Sequence, residues 1–222
     1  RCGLVPMGGT VLRKTSFAGT SRREIMNSME RLQARLAGKP VDKIPNLNIV
    51  MALVAKQVGA SYREYAQDYR VLVEGNLRCV EEFGFDSVSA ISDPMRETAG
   101  FGAEISFPEN GVPYSPVPLL GSGLDPEKVH RYDPFERERT LDRIHAVELF
   151  KQKVGEEVPI IGWVEGVLAE TADLRGVDTL MMDLAEGADG LVDVMDMVFE
   201  QQCRFAKAQI DAGAHAYSRL GY

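Results

Sequence analysis

A helix, a glycine and a strand follow one another three times in this chain, and that alternation restricts the fold more than any single motif. Residues 69–83 place Tyr69, Leu72, Val73, Leu77 and Val80 on one helical stripe, Gly84 ends the stripe, and residues 87–91 read as a strand. Residues 140–153 turn Leu141, Ile144, Val147 and Phe150 inward, and Gly155 separates them from the apolar run 158–163. The third instance carries Leu191, Val194, Met195, Val198 and Phe205, then Gly213 and the start of another strand. Strands alternating with amphipathic helices predict an α/β protein with a parallel sheet, either doubly wound or a (β/α) barrel. With a further unit near Ile44, four βα units are found, near Ile44, Val88, Ile160 and Ala214. A complete barrel of TIM type has eight, over about 250 residues. The chain therefore reads as about the first half of such a barrel, or as a half-barrel that pairs with a second copy.

Local signals refine this reading. Residues 1–25 hold Arg1, Arg13, Lys14, Arg22 and Arg23 against the single acid Glu24, which sets them apart as a disordered or non-native tail. The barrel domain is expected over 26–222. Its first helix starts after Met26 with Asn27 or Ser28 as cap, and Gly38 and Pro40 stop it. Ser61 and Glu64 have capping-box spacing before a helix expected to run unbroken to about Phe83. Residues 100–135 contain six of the eleven prolines, so they form a long ordered loop with a hairpin expected at residues 109–111.

Composition excludes several classes of function. A formal charge of −8 offers no general attraction to phosphate backbones or anionic lipid, so a small molecule or a protein is the expected partner and nucleic acid is not. The longest apolar run, residues 49–55, falls far short of the ~20 residues that span a bilayer. Cys2, Cys79 and Cys203 show no Cys-x-x-Cys, and their odd number suits the reducing cytoplasm.

No Walker A, His-Glu-x-x-His or His-x-Cys occurs, so no complete metal site is predicted. The acids Asp183, Glu186, Asp189, Asp193 and Asp196 match no calcium loop and read as a solvated helix face. The remaining candidates sit at the C-terminal ends of strands, where α/β sheets and barrels place their sites. Asn46 and Asn48 follow Pro45 and read equally as substrate contacts or as turn asparagines. Asp93 follows the apolar run ending at Ile91, so its carboxylate is expected to face the mouth, with Arg96 beside it; Asp-Pro also starts turns. Trp163 is read as the end of its strand and Glu165–Gly166 as the turn, which aims Glu165 at the mouth as a second catalytic carboxylate. Glu170, Asp173 and Arg175 follow, either as substrate contacts or as a solvated helix face paired within itself.

Taken in order, these segments resemble the uroporphyrinogen decarboxylase superfamily. The likeness runs through Met29-Glu30-Arg31-Leu32, Gly38-Lys39-Pro40-Val41-Asp42-Lys43-Ile44-Pro45, Phe83-Gly84-Phe85-Asp86, Ser92-Asp93, Gly102-Ala103-Glu104-Ile105 and Gly162-Trp163-Val164-Glu165-Gly166. The resemblance implies a (β/α)8 barrel and one of two chemistries. One is the cofactor-free decarboxylation of uroporphyrinogen in porphyrin biosynthesis, in which Asp93 would hold pyrrole N–H groups. That branch meets its substrate with an Arg-Gln-Ala-Gly-Arg stretch, whereas this chain has no arginine between Arg35 and Arg63, and Asp173 stands where an active-site tyrosine is expected. The other is methyl transfer between a corrinoid protein and a thiol, with zinc on a His-x-Cys pair and a later Cys expected beyond Tyr222. Gly162-Trp163-Val164-Glu165-Gly166 followed by Ala172-Asp173-Leu174-Arg175-Gly176 resembles this second branch. The leading expectation is thus a methyltransferase partnered by a corrinoid protein, with no cofactor held by this chain alone. A decarboxylase is the alternative, and a non-catalytic half-barrel that must dimerise to cover its apolar edge is the third.

Overall fold

A computed structural model describes residues 25–220, so the expected tail lies outside the described residues except for Ile25. The chain opens with α1 (Ser28–Leu36), then α2 (Ala52–Gln57), α3 (Tyr62–Gln67) and α4 (Tyr69–Phe83), which lead into β1 (Val88–Ser89). Helix α5 (Met95–Gly100) follows, and a long loop with a 3-10 turn at Pro126–Lys128 reaches α6 (Glu138–Val154) and β2 (Ile160–Glu165). Helices α7 (Val167–Arg175), α8 (Val177–Glu186) and α9 (Leu191–Asp211) then lead to β3 (Ala216–Leu220).

The three strands form one parallel sheet in chain order, with Val88 opposite Ile160 and Ile161 opposite Ala216. Each crossover runs through helices, as parallel pairing requires. Burial follows from this: Val88, Ile160, Trp163 and Val164 are covered, and Phe150, Tyr65 and Leu72 fill the layer outside the sheet. A second apolar cluster joins Phe101, Leu120, Tyr132, Leu174, Val194 and Val198, which packs the long loop onto α7 and α9.

The capping signals appear where the sequence put them. Asn27 and Glu30 close a capping box on α1, and Ser61 and Glu64 close one on α3. Gly84 ends α4 at φ 64, a left-handed conformation that costs other residues energy, and its N–H reaches the Val80 carbonyl.

Four expectations need correction. The helix expected from Ser61 to Phe83 breaks at Asp68, whose backbone is extended and whose carboxylate caps α4 through the Arg70 N–H. No strand forms near Ile44: the Asn46 N–H goes to the Asp86 carboxylate, its carbonyl takes the Asp86 N–H, and Pro45 has no N–H to give. The strand expected over 87–91 shortens to Val88–Ser89, because the Ile91 N–H turns to Ser89 Oγ while Tyr65 and Tyr62 hydroxyls take the carbonyls of Ile91 and Ser92. Strand β2 does not stop at Trp163 but continues to Glu165, leaving Gly166 as the N-cap of α7. The expected hairpin is present as one antiparallel bridge, Ser106 with Tyr114. Among the described residues no helix is long and apolar enough to cross a membrane.

Candidate active site

The last residue of β2, Glu165, is 2 % exposed and forms the hub of a buried ionic cluster. Trp163 lies two residues earlier on the same strand face, and its indole N–H donates to Glu165 Oε1 at 3.0 Å. Arg96, on the first turn of α5, donates from Nη2 to that same oxygen at 2.8 Å. Glu97 Oε2 lies 3.6 Å from the same guanidinium nitrogen, and its other oxygen accepts the Glu165 backbone N–H at 2.9 Å. Two successive residues of α5 thus hold Glu165 by its side chain and by its backbone.

Arg96 Nη1 donates to the Asp93 carbonyl, while Nε is buried without a partner. Asp93 itself accepts from Ser92 Oγ at 2.6 Å, from the Met95 N–H at 3.0 Å and from the Arg139 guanidinium. Its carboxylate was expected to face the mouth; it is instead buried and tied down on every side. Burial drives the Asp93 pKa upward, yet Arg139 and Arg96 outweigh it and hold the group below the ordinary aspartate range.

On the facing helix α7, Glu170 and Asp173 complete the cluster. Glu170 is fully buried and accepts from the Thr98 hydroxyl at 2.8 Å, and Asp173 is half-buried. Burial, and then the neighbouring negative charges, raise three of these acids. Glu97 is pushed up to about 7 by burial and Glu165 against the pull of Arg96. Asp173 is pushed up to about 7 by burial, Glu165 and Glu97. Glu170 goes well above the usual range through burial, Glu97 and Asp173. Arg96 is raised despite burial because Glu97, Glu165 and Asp93 surround it.

Five of the sequence-predicted residues therefore meet: Asp93, Arg96, Glu165, Glu170 and Asp173. The solvated-face alternative for Glu170 and Asp173 does not hold. Arg175 lies elsewhere, paired with Asp183 at 2.7 Å and donating to the Leu120 carbonyl, which fastens the long loop to α7. That pairing buries Asp183, so only the other four acids of its run are solvated. Asn46 and Asn48 are bonded to each other at 2.7 Å, outside the cluster. Asn48 lines an apolar cavity of about 320 Å³ together with Ile161 and Trp163, the residue whose indole N–H is bonded to Glu165.

Sequence reasoning missed Thr98 and Arg139, and noted Glu97 only as the neighbour of Arg96, without a role. Glu97 and Thr98 carry a local signal, since they directly follow Arg96 on the short helix that Asp93–Pro94 begins. Arg139 carries none, because it meets Asp93 across 46 positions of chain.

Among the described residues no group of three or more His, Cys, Asp or Glu side chains could hold a metal ion. Cys79 is buried in α4 and Cys203 is exposed on α9. The zinc expected from the resemblance thus has no ligand set among them.

Comparison with known proteins agrees with this architecture. The profile of the uroporphyrinogen decarboxylase (URO-D) family matches residues 27–218. The chain is 28% identical over 193 residues to the methylcobamide:CoM methyltransferase MtaA of Methanosarcina barkeri, which covers 83% of the chain and 55% of that protein. It is 25% identical over 192 residues to the methylcobamide:CoM methyltransferase MtbA of Methanosarcina acetivorans, with the same coverage. A solved methyltransferase from Methanosarcina mazei superposes with a TM-score of 0.76 at 25% identity, over 86% of this chain and 58% of that one. The chain thus spans about half the length of the curated relatives it matches. Its fold is that of a TIM-type (β/α) barrel, of which the described residues build a part.

Proposed function

Since the chain belongs to the uroporphyrinogen decarboxylase (URO-D) family, we propose that it is part of a methyltransferase that moves a methyl group between a corrinoid protein and a thiol such as CoM or a related acceptor. The observation that carries this reading is the Arg96–Glu165 pair, buried at the C-terminal end of β2 where a barrel builds its active face. The names of the relatives reported above, methylcobamide:CoM methyltransferases, support this reaction class.

In this reading the β2 end is a rigid floor. Arg96 cannot swing, because Asp93, Glu97 and Glu165 each hold it, and Trp163 is fixed by its bond to Glu165. Glu165 is the carboxylate nearest the reacting groups, and Asp93 positions Arg96 through its carbonyl. Asn46, Asn48 and Arg175 would act at the rim, on the acceptor or on the loop over it. Zinc has no three-ligand set among the described residues, and none of these roles runs through it. We place the protein in the cytoplasm, with a corrinoid protein as partner.

Decarboxylation is the reading to test against. It would need cations for a substrate with many carboxylates, and the two guanidiniums that pair with the cluster's acids, Arg96 and Arg139, are already taken by Glu165 and Asp93. The full-length protein is given a methylated corrinoid with CoM, and separately uroporphyrinogen. Methyl thioether formation is expected with the first and no carbon dioxide release with the second. Carbon dioxide release without methyl transfer overturns the proposal.

A further inference from the structure

Helix α8 turns its apolar stripe outward. Val177, Met181 and Leu184 stand at i, i+4 and i+7 and so share one helical face, and all three are exposed. Only Leu180 and Asp183 of this helix are buried. The helix is nevertheless held in place, because Asp183 pairs with Arg175 at 2.7 Å and Arg175 donates to the Leu120 carbonyl. The stripe is therefore a preformed apolar surface, of the kind that marks an interaction site when its neighbours are polar.

Those neighbours are acidic. Residues 176–203 contain seven Asp and Glu and no Lys, Arg or His. Asp183 and Glu200 are paired, with Arg175 and Arg131. Asp178, Glu186, Asp189, Asp193 and Asp196 are exposed and have no ion pair among the described residues. This charge decides between occupants. Nucleic acid and anionic lipid are repelled. A second copy docking by the same patch would set acids against acids, since a two-fold contact joins a surface to itself. The chemistry that fits is a protein whose own apolar patch is edged with lysine or arginine.

The surface also lies on the side of the sheet that carries Glu165. Helix α7 leaves the C-terminal end of β2, and α9 returns to the start of β3. The later turns of α9 meet the sheet, where Phe205 packs with Val164 and Gln209 donates to the Trp163 carbonyl. Its first turns meet α7 instead, through Val194, Val198 and Leu174. Helix α8 links the end of α7 to that first part of α9, beyond the C-terminal edge of the sheet.

We propose that the α8 stripe and its acidic surround dock the corrinoid protein through a basic-edged apolar patch on that partner. The identity of the partner rests on the methyl-transfer reading, in which a protein-borne methyl group must reach the Glu165 end of the barrel. The shape and charge of the surface do not depend on it.

The test is calorimetric titration of the full-length protein with the purified corrinoid protein of the same organism, at low and high salt. Wild-type binding is expected to weaken at least threefold between 50 and 300 mM NaCl. It should weaken at least tenfold in Met181→Ser with Leu184→Ser, and again in Glu186→Lys with Asp189→Lys, a pair that keeps the test open should the serine variant unfold. Methylation of CoM by free methylcobalamin should be unchanged in both, because a free donor needs no docking. No wild-type binding, or wild-type affinity in the variants, overturns the surface and leaves the reaction standing if free methylcobalamin still reacts. Docking without reaction of free methylcobalamin overturns the methyl-transfer reading and leaves the surface standing. A stripe covered by the rest of the chain, read as a Met181→Cys variant whose new thiol resists maleimide in the native protein, overturns the proposal. So does a dimer that the serine variant splits.

Discussion

Replacing Arg96 by Met removes the one guanidinium within ion-pair distance of Glu165 and Glu97 among the described residues, while keeping the length and apolar stem of the side chain. Both carboxylates stay buried, Glu97 at 0% and Glu165 at 2% exposure, and the Asp93 carbonyl loses its donor. Breaking a buried pair from one side costs about 3–5 kcal/mol, because the orphaned charge must be neutralised or hydrated. For a chain of 150–250 residues each kcal/mol moves the unfolding midpoint by about 2–4 °C, so the expected drop is roughly 6–20 °C. The sign of its pH dependence is also fixed. Without Arg96 the buried Glu97 carboxyl, already raised, binds its proton still more tightly in the folded state than in the unfolded one, so the loss should shrink as pH falls from 8 to 6. Thermal unfolding followed by circular dichroism at both pH values reads this. A drop of less than about 1 kcal/mol, or one equal at pH 6 and pH 8, would mean that Arg96 does not hold the charge of this cluster.

The wild-type protein should itself lose stability as pH rises from about 4.5 to 7. Glu97 and Asp173 titrate at about 7 when folded and much lower when unfolded, and Glu97 alone contributes of order 3 kcal/mol. Asp93, held below its ordinary value, acts oppositely and sets the acid limit, so a midpoint measured near pH 5.5 should exceed that at pH 8. A Cβ added at Gly100 would run into the Tyr132 ring, so Gly100→Ala must displace the phenol and should cost about 1–3 kcal/mol by denaturant titration. Asp68→Ala removes the cap of α4 and should cost about 1 kcal/mol, with a fall in helical ellipticity, whereas Asp68→Asn should retain most of it.

What the sequence made legible was what repeats locally. The stripes of α4, α6 and α9, the capping boxes of α1 and α3 and the glycines between helix and strand need only a few neighbouring residues to be recognised. Sequence also set Asp93 with Arg96, and Glu165 with Glu170 and Asp173, as two separate local groups; that the two groups adjoin is visible only in the fold. What stayed hidden depends on long separations. Arg96 meets Glu165 across 69 residues and Arg139 meets Asp93 across 46, so no spacing rule could show that the guanidiniums were already spent on carboxylates. The shortening of β1 has the same origin, since Tyr62 and Tyr65 take carbonyls that the strand would have offered to a ladder. Likewise no local pattern shows that Arg175 pairs with Asp183 and donates to the Leu120 carbonyl 55 positions away.

The decisive measurement is transfer of a carbon-13 methyl group from a methylcobamide to CoM by the full-length protein, followed by mass spectrometry and compared with Glu165→Gln. Labelled thioether is expected from the wild type, with a rate lowered about a hundredfold or more in the variant, the scale for losing a positioned acid–base or electrostatic group. No labelled product from the wild type, or an undiminished rate in Glu165→Gln, would contradict the assignment of methyl transfer to this strand-end site.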